Sequence, residues 1–251
     1  MTEGVALRVN IASMRFPGSG SRAGLIADLE LEVPAGGIAA LVGRSGIGKT
    51  TLLRIIAGLE RRFDGKVTLD GVPVHKPSRA IQIVYQDYRL LPWKTVRENI
   101  AFSLHNGTAD APSIDHWLDF LHLRHRSDAW PRELSGGEQA RAALARVFVS
   151  PPRVLLLDEA FHNLDVVAKQ KIQEELVTLL SEQKITTVVV SHSIEDAVYL
   201  ADMIYVLAES PMRVVRRIPV ELQRPRARGD AEWSRLVGEV TDSLRNGTGE
   251  L

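Results

Sequence analysis

The sequence predicts an α/β fold built on a mostly parallel β-sheet flanked by helices. Residues 38–42 form a continuous apolar run, as in a strand buried on both faces, and the runs 154–157 and 187–190 predict further strands at 154–158 and 187–191. Segments with helical spacing follow these runs, at residues 49–58, 166–180 and 194–200. Because strands that alternate with helices pair in parallel through right-handed crossovers, we expect one sheet covered by helices.

The middle of the chain predicts a helical subdomain inserted into this α/β core. Helical segments follow one another at residues 95–104, 114–121 and 135–148. Before them, residues 5–11 and 29–33 alternate apolar and polar side chains, which is typical of half-buried strands. We expect one domain over 1–251, divided into an α/β core with a β subdomain (1–86 and 150–212), a helical subdomain (87–149) and a C-terminal tail (213–251).

Composition excludes several functional classes. The chain has 31 basic and 31 acidic residues, so no net field favours nucleic acid or an anionic membrane. It has no cysteine, which excludes disulfides and thiolate metal sites and fits a reducing compartment. Residues 1–16 lack an apolar block, so we expect no secretory signal. The apolar runs are shorter than the roughly 20 residues that span a bilayer, so any membrane part belongs to another chain.

A glycine-rich loop between the predicted strand 38–42 and the next helix predicts nucleotide binding. It fits the pattern G-x-x-x-x-G-K-[ST], in which backbone N–H groups and a helix amino terminus hold phosphate oxygens. Lys49 would reach the β- and γ-phosphates, and the Thr50 hydroxyl would bind magnesium. The alternative is a glycine turn with a lysine at a solvated helix start. The candidate ATP-binding residues are Gly43, Arg44, Ser45, Gly46, Ile47, Gly48, Lys49, Thr50 and Thr51.

Two carboxylates, Asp158 and Glu159, follow the apolar run at residues 154–157. Ligands of open α/β sheets bind at this end of the strands. Asp158 suits the magnesium shell, since magnesium takes few carboxylates and keeps several waters. Glu159 is then available as the general base that activates water. The alternative is an ordinary acidic turn after a strand.

A third motif opens the predicted helix at 135–148. Its residues are Leu134, Ser135, Gly136, Gly137 and Glu138, followed by Gln139 and Ala142-Ala-Leu-Ala-Arg146. A helix amino terminus of this kind can bind a γ-phosphate. Serine followed three residues later by glutamate is also a capping box, and both descriptions can hold together.

With the loop and the two carboxylates, this motif resembles the signature of the ABC ATPase family over nearly the whole chain. The resemblance implies a P-loop NTPase core, an antiparallel β subdomain and an inserted helical subdomain. It also implies that ATP and Mg²⁺ are the cofactors. Two ATP molecules would lie between two nucleotide-binding subunits, each facing the signature of the other. A chain with one loop and one signature therefore needs a second copy or a related chain.

Further site residues follow from the resemblance. Gln86 corresponds to a glutamine that contacts magnesium and water, and His192 to the switch histidine near the γ-phosphate. Phe16 corresponds to an aromatic that stacks on adenine. The D-loop, which links the two sites of a dimer, corresponds to Asn163, Leu164 and Asp165. Two positions depart from the usual pattern: Ala160 replaces a proline, and His162 replaces a small residue.

The stretch Arg89-Leu-Leu-Pro-Trp-Lys94 resembles importers of the nitrate, sulfonate and taurine type, as does Arg224-Pro-Arg-Ala-Arg228. In that family the first stretch lies in a groove for a permease helix, so Leu90, Leu91 and Trp93 are candidate permease contacts. These side chains can instead pack the helical subdomain onto the core. For the tail arginines a solvated basic face is favoured over contact with lipid headgroups.

The expected function is the ATP-hydrolysing motor of an importer. Its partners would be a second nucleotide-binding subunit in a homodimer, an integral membrane permease and, indirectly, an extracytoplasmic solute-binding protein, with no nucleic acid. The protein would lie peripherally at the cytoplasmic face of the membrane. The alternatives are a DNA- or ribosome-acting ABC ATPase, or a separate exporter motor. Long coiled-coil heptads and a second motor domain, typical of the first two, do not occur in the sequence.

Overall fold

The computed structural model of the protein describes residues 4–15, 24–104, 111–162, 164–208 and 211–247. The strands in these ranges are β1 (Leu7–Met14), β2 (Ile26–Val33), β3 (Ile38–Val42), β4 (Asp64–Leu69), β5 (Val72–Pro73), β6 (Ile81–Val84), β7 (Val154–Asp158), β8 (Thr186–Val190), β9 (Met203–Ala208) and β10 (Arg213–Pro219). The helices are α1 (Lys49–Ile56), α2 (Val96–Ala101), α3 (Ala111–Phe120), α4 (Gly136–Phe148), α5 (Val166–Gln183), α6 (Ile194–Leu200) and α7 (Ala231–Gly247).

The predicted parallel sheet is confirmed. Among the described residues it has the strand order β10-β9-β3-β8-β7-β6, with β9, β3, β8 and β7 paired in parallel. The residues of β3, β7 and β8 are all buried, as is typical of central strands in a parallel sheet that is covered on both faces. Their continuous apolar runs therefore mark the centre of the core.

A second sheet has the strand order β2-β1-β4-β5 in the described part of the chain, and its strand pairs are antiparallel. Buried and exposed residues alternate along β1 and β2 over most of their length, so one face packs and the other meets solvent. The packed face joins one apolar core with the larger sheet, in which Ile11, Leu41 and Leu156 are fully buried. The predicted α/β fold class with an antiparallel β-sheet is confirmed.

The described chain clusters into two units. The first comprises Met1–Ile83, Arg153–Asp158 and Val177–Leu251, and the second comprises Val84–Pro152 and Glu159–Leu176. In the second unit α2, α3 and α4 pack together around fully buried side chains such as Ile100 and Leu118. The ring of Trp117 on α3 stacks on Phe148 of α4, with centroids 5.4 Å apart. The second unit thus has an apolar core of its own.

The tail holds a strand that the sequence does not reveal. β10 pairs antiparallel with β9 and forms an edge of the larger sheet. Within β10 only the side chain of Ile218 is buried. Such an edge strand lacks the apolar run that marks the central strands. The solvated face expected for the tail arginines is wrong at Arg226, which is 7% exposed. No helix in the described ranges has both the length and the apolarity needed to cross a bilayer.

Candidate active site

The loop between β3 and α1 is shaped by glycine. Gly46 has φ +83° and Gly48 has φ +109°, values that side chains with a Cβ disfavour. At Gly43 a Cβ would lie 2.6 Å from Ile47 Cδ1 and 3.0 Å from a backbone oxygen of β9. Gly48 is also the N-cap of α1 and supplies no side-chain cap for the first turn. The loop therefore presents backbone N–H groups at the positive end of a helix, which suits an anion.

Lys49 lies inside this loop. It is 5% exposed, and its Nζ donates hydrogen bonds to Gly43 O and Arg44 O, both at 2.8 Å. These bonds wrap the backbone around a fixed positive charge. A buried ammonium beside converging N–H groups is an arrangement that binds phosphate.

Thr50 and Asp158 meet at the loop. The Thr50 hydroxyl donates to Asp158 Oδ1 at 3.2 Å, and Asp158 is 6% exposed at the last residue of β7. A hydroxyl and a carboxylate are hard oxygen donors, and Mg²⁺ takes such ligands beside nucleotide phosphates. These two residues fit the predicted magnesium shell by their chemistry.

The sheet register brings the loop, Asp158 and His192 to one edge. In the parallel pairing Leu41 and Asp158 both lie opposite Val190, so β3, β7 and β8 end side by side. His192 follows β8 by two residues and is exposed. On either side of it, Ser193 N donates to Ser191 Oγ at 3.0 Å, and Ser191 Oγ donates to Ser193 O at 3.1 Å. This tight turn holds the histidine between a strand and the N-cap of α6.

Glu159 stands in an unusual backbone conformation. Its φ is +53°, which costs a residue other than glycine roughly 1–2 kcal/mol. The left-handed conformation turns the chain sharply after β7, and the side chain is half-buried. Backbone strain of this kind is concentrated at functional sites, which supports the assignment of a specific role to this carboxylate.

The signature segment forms a capped helix start in the second unit. Ser135 Oγ accepts from Glu138 N at 3.3 Å, and Glu138 Oε2 accepts from Ser135 N at 2.8 Å, so the predicted capping box is confirmed. Burial would raise the pKa of Glu138, but the Ser135 N–H and the Arg126 guanidinium together hold it below its ordinary value. Glu138 thus remains a carboxylate and keeps the amino terminus of α4 in place.

The remaining predicted residues divide into described and undescribed ones. Phe16 and Asn163 lie outside the described residues. Asp165 Oδ1 accepts from Ala168 N at 2.9 Å at the start of α5, and Leu164 is half-buried. Gln86 is exposed two residues after β6 and belongs, with Glu159 and residues 134–138, to the second unit.

The candidate permease contacts lie on a segment fixed by Asn99, a residue that the sequence did not single out. Asn99 is fully buried, accepts from Leu91 N at 2.8 Å and donates to backbone oxygens including Lys94 O at 2.9 Å. Leu90 and Leu91 are half-buried, whereas Trp93 is 67% exposed. In the sequence, the sign of these side-chain hydrogen bonds to the backbone is an asparagine at a position of the predicted helix where an apolar residue is expected.

The fold and the loop define a nucleotide-binding α/β ATPase. Comparison with known proteins makes the class specific, because the sequence profile described as "ABC transporter" matches residues 26–162. Two curated relatives are aliphatic sulfonates import ATP-binding proteins. SsuB 1 of Xanthomonas axonopodis pv. citri is 40% identical over 88% of this chain and 88% of its own length. SsuB of Bacillus subtilis is 35% identical over 94% of this chain and 93% of its own length. An uncharacterized ABC transporter ATP-binding protein of Methanocaldococcus jannaschii is 36% identical over 96% of this chain and 92% of its own length.

Solved structures agree on the fold. The ATP-binding cassette MJ0796, in a dimeric post-hydrolysis state bound to ADP and Pi, aligns with a TM-score of 0.75 at 24% identity, covering 86% of this chain and 99% of that chain. A second dimeric structure of the same bacterial ABC transporter cassette gives 0.76 at 24% identity over the same shares. The chain belongs to the ABC transporter family as an ATP-binding subunit, and it is an ATPase.

Proposed function

We propose that this chain is the motor subunit of an importer for sulfonates or similar small solutes, with nitrate and taurine in the same class. The supporting observation is its 35–40% identity, over most of both chains, to proteins named for aliphatic sulfonate import. ATP hydrolysis in this chain would move a separate permease. The protein would sit peripherally at the cytoplasmic face of the membrane that holds the permease.

The candidate site residues have distinct roles in this proposal. Lys49 and the loop N–H groups would bind the β- and γ-phosphates, and Thr50 and Asp158 would hold Mg²⁺. Gln86 would contact the same ion, as its resemblance to the family's glutamine implies. The metal supplies charge neutralisation at the transferred phosphoryl group. Glu159 accepts the proton of the attacking water, and His192 and Gln86 orient that water. Phe16 stacks on the adenine.

A second subunit completes the site. The chain carries one phosphate loop and one signature segment, so residues 134–138 bind the γ-phosphate held by a partner, and Asn163, Leu164 and Asp165 link the two sites. We assign a homodimer, which the dimeric state of the related cassette supports. ATP binding draws the two subunits together, and hydrolysis with phosphate release separates them.

Trp93 is the main apolar contact for the permease. Its large apolar side chain is 67% exposed, and burial of that surface against a partner would remove apolar area from water. With Leu90 and Leu91 it would anchor a cytoplasmic helix of the permease, and an extracytoplasmic solute-binding protein would deliver the solute from the other side. Nucleic acid has no place in this assembly.

The test is a pull-down of the tagged protein from gently solubilised membranes of its host, with mass spectrometry of the eluate. We expect a multi-span permease to copurify, and Trp93→Ala to lower its recovery about tenfold, as expected for an interface hot spot. Trp130→Ala is the matched control, since Trp130 is also an exposed tryptophan of the second unit, at 38%. Recovery of ribosomal or DNA-bound factors without a permease would contradict the importer.

The solute is tested in vesicles that contain the purified permease and this subunit. With the solute-binding protein present, an aliphatic sulfonate should raise the rate of ATP hydrolysis, whereas the matching carboxylate should leave it unchanged. Stimulation by substrates added on the side of this subunit would indicate an exporter instead.

A further inference from the structure

The segment Arg224-Pro-Arg-Ala-Arg228 places its three arginine side chains against α6. Arg226 is 7% exposed, and the side chain of Arg224 is 27% exposed. The Arg228 guanidinium lies 3.6 Å from the centroid of the Tyr199 ring on α6. We refer to Arg224, Arg226 and Arg228 as the arginine clamp.

The clamp satisfies the carboxyl end of α6. A helix leaves its last four carbonyl groups without partners inside the helix, here those of residues 197–200. Ala197 O accepts from Ala201 N at 3.0 Å. Arg226 Nη1 donates to the next two carbonyls, at 2.8 and 2.9 Å, and Arg224 Nη2 donates to the last one at 2.6 Å. Two cations thus complete the negative end of this helix.

The same arginines join α6 to the strand that leads into the phosphate loop. Arg224 Nη2 donates to Asp202 Oδ1 at 2.7 Å. Asp202 in turn accepts from Ile38 N at 2.8 Å through Oδ2 and donates its own N–H to Ile38 O at 2.7 Å. Ile38 is the first residue of β3, which ends at the loop. Each contact lies within the first unit.

α6 depends on contacts at both of its ends. It has seven residues, and helices of this length are not stable alone. At its amino end Ser193 Oγ accepts from Asp196 N at 3.1 Å, and at its carboxyl end the clamp holds the last carbonyls. His192 is the residue directly before that N-cap. A displacement of α6 would therefore move the backbone that carries His192.

We propose that the arginine clamp is a positioning element for His192, so that the carboxyl-terminal segment tunes ATP hydrolysis through α6. This inference rests on the proposed role of His192 in orienting the attacking water. Burial lowers the pKa of Arg226 to about 10, which still leaves the guanidinium charged at neutral pH. The clamp therefore acts as a permanent cation and gives no pH switch near neutrality.

The first test is a kinetic double-mutant cycle on the purified protein. Arg224→Gln should lower kcat for MgATP about tenfold, with KM changed less than about twofold, because a small misplacement of an orienting group slows chemistry. In a His192→Ala background the same substitution should lower kcat less than about twofold. Arg213→Met, at an exposed arginine of β10, is the control and should leave kcat unchanged. Equal losses in both backgrounds would overturn the positioning role.

The second test does not depend on ATP hydrolysis. In protein labelled with ¹³C at histidine Cε1, the His192 signal is assigned by its loss in His192→Ala. Arg224→Gln and Arg226→Lys should shift that signal, and Arg213→Met should not. An unmoved signal in folded Arg224→Gln protein refutes the clamp's effect on His192. Full kcat in His192→Ala, together with a shifted His192 signal in Arg224→Gln, would refute the proposed role of His192 in hydrolysis and leave the positioning of its side chain by the clamp intact.

Discussion

Arg146 fastens a strained backbone turn of the second unit, and its removal should destabilise the protein measurably. The guanidinium donates to Tyr88 O at 2.8 Å and to Arg89 O at 2.7 Å. Both carbonyls belong to residues in the left-handed region, with φ of +56° and +45°. Each such residue costs roughly 1–2 kcal/mol, so the turn persists because its surroundings hold it.

The expected size of the effect follows from these two bonds. Hydrogen bonds to a charged group contribute roughly 1.5–3 kcal/mol each, and solvent near a partly exposed guanidinium lowers that value. Arg146→Met keeps the apolar stem but loses both bonds, so we expect the free energy of unfolding to fall by about 2–3 kcal/mol. For a chain of this size that corresponds to a Tm lower by roughly 5–10 °C.

Urea and thermal unfolding followed by circular dichroism measure this change. Arg146→Lys should fall between the wild type and Arg146→Met, because one ammonium does not reproduce the planar fork of a guanidinium. Arg132→Met removes an exposed arginine of the same unit and serves as the control. A stability of Arg146→Met within about 0.5 kcal/mol of the wild type would refute the argument.

Three further predictions concern two carboxylates of the candidate site and, outside it, one carboxylate of the first unit. Glu159→Gln should lower kcat by at least about a hundredfold while MgATP still binds, as measured by turnover and by fluorescent-nucleotide titration, and unchanged turnover would exclude Glu159 as the base. Asp158→Asn should raise the Mg²⁺ concentration needed for half-maximal activity, and an unaltered requirement would remove Asp158 from the metal shell. The Arg62 guanidinium and nearby backbone N–H groups lower the pKa of Glu60 from 4.5 to about 2, so the stability it contributes is present above pH 4.5 and lost as the pH falls towards 2. The difference in unfolding free energy between wild type and Glu60→Gln should shrink over that interval, and a constant difference would contradict this linkage.

The central strands and the phosphate loop were predictable because their signals are local. The bounds of β7 and α6 match the prediction, and β3 is found where its apolar run lies. A buried parallel strand needs apolar side chains at most of its positions, and a phosphate loop needs glycine at fixed spacing. Such requirements appear in the sequence of the element itself.

The side-chain hydrogen bonds that Asn99, Arg146 and Arg226 make to the backbone were not predictable in the same way. Each of these side chains bonds to backbone carbonyls, which every residue offers. Arg146 reaches carbonyls 57 and 58 residues away along the chain, and Arg226 reaches three that lie 25 to 28 residues away. No pattern in the partner segment marks it as an acceptor. A polar or charged residue within an apolar helical stretch, such as Asn99, indicates that its side chain is hydrogen-bonded, but it does not indicate to which backbone atoms.

The cap of α4 limits which residues selection can accept at position 135. A hydroxyl offers one donor and two lone pairs, so Ser135 can accept from Glu138 N and still donate to an approaching anion. Aspartate caps a helix equally well but carries a negative charge that repels phosphate. Ser135→Asp should therefore leave the protein as stable as the wild type while abolishing the binding of a partner's nucleotide. At position 135 helix capping needs only an acceptor oxygen, whereas binding an anion also needs the hydroxyl proton. A substitution there can therefore keep the fold and lose the activity.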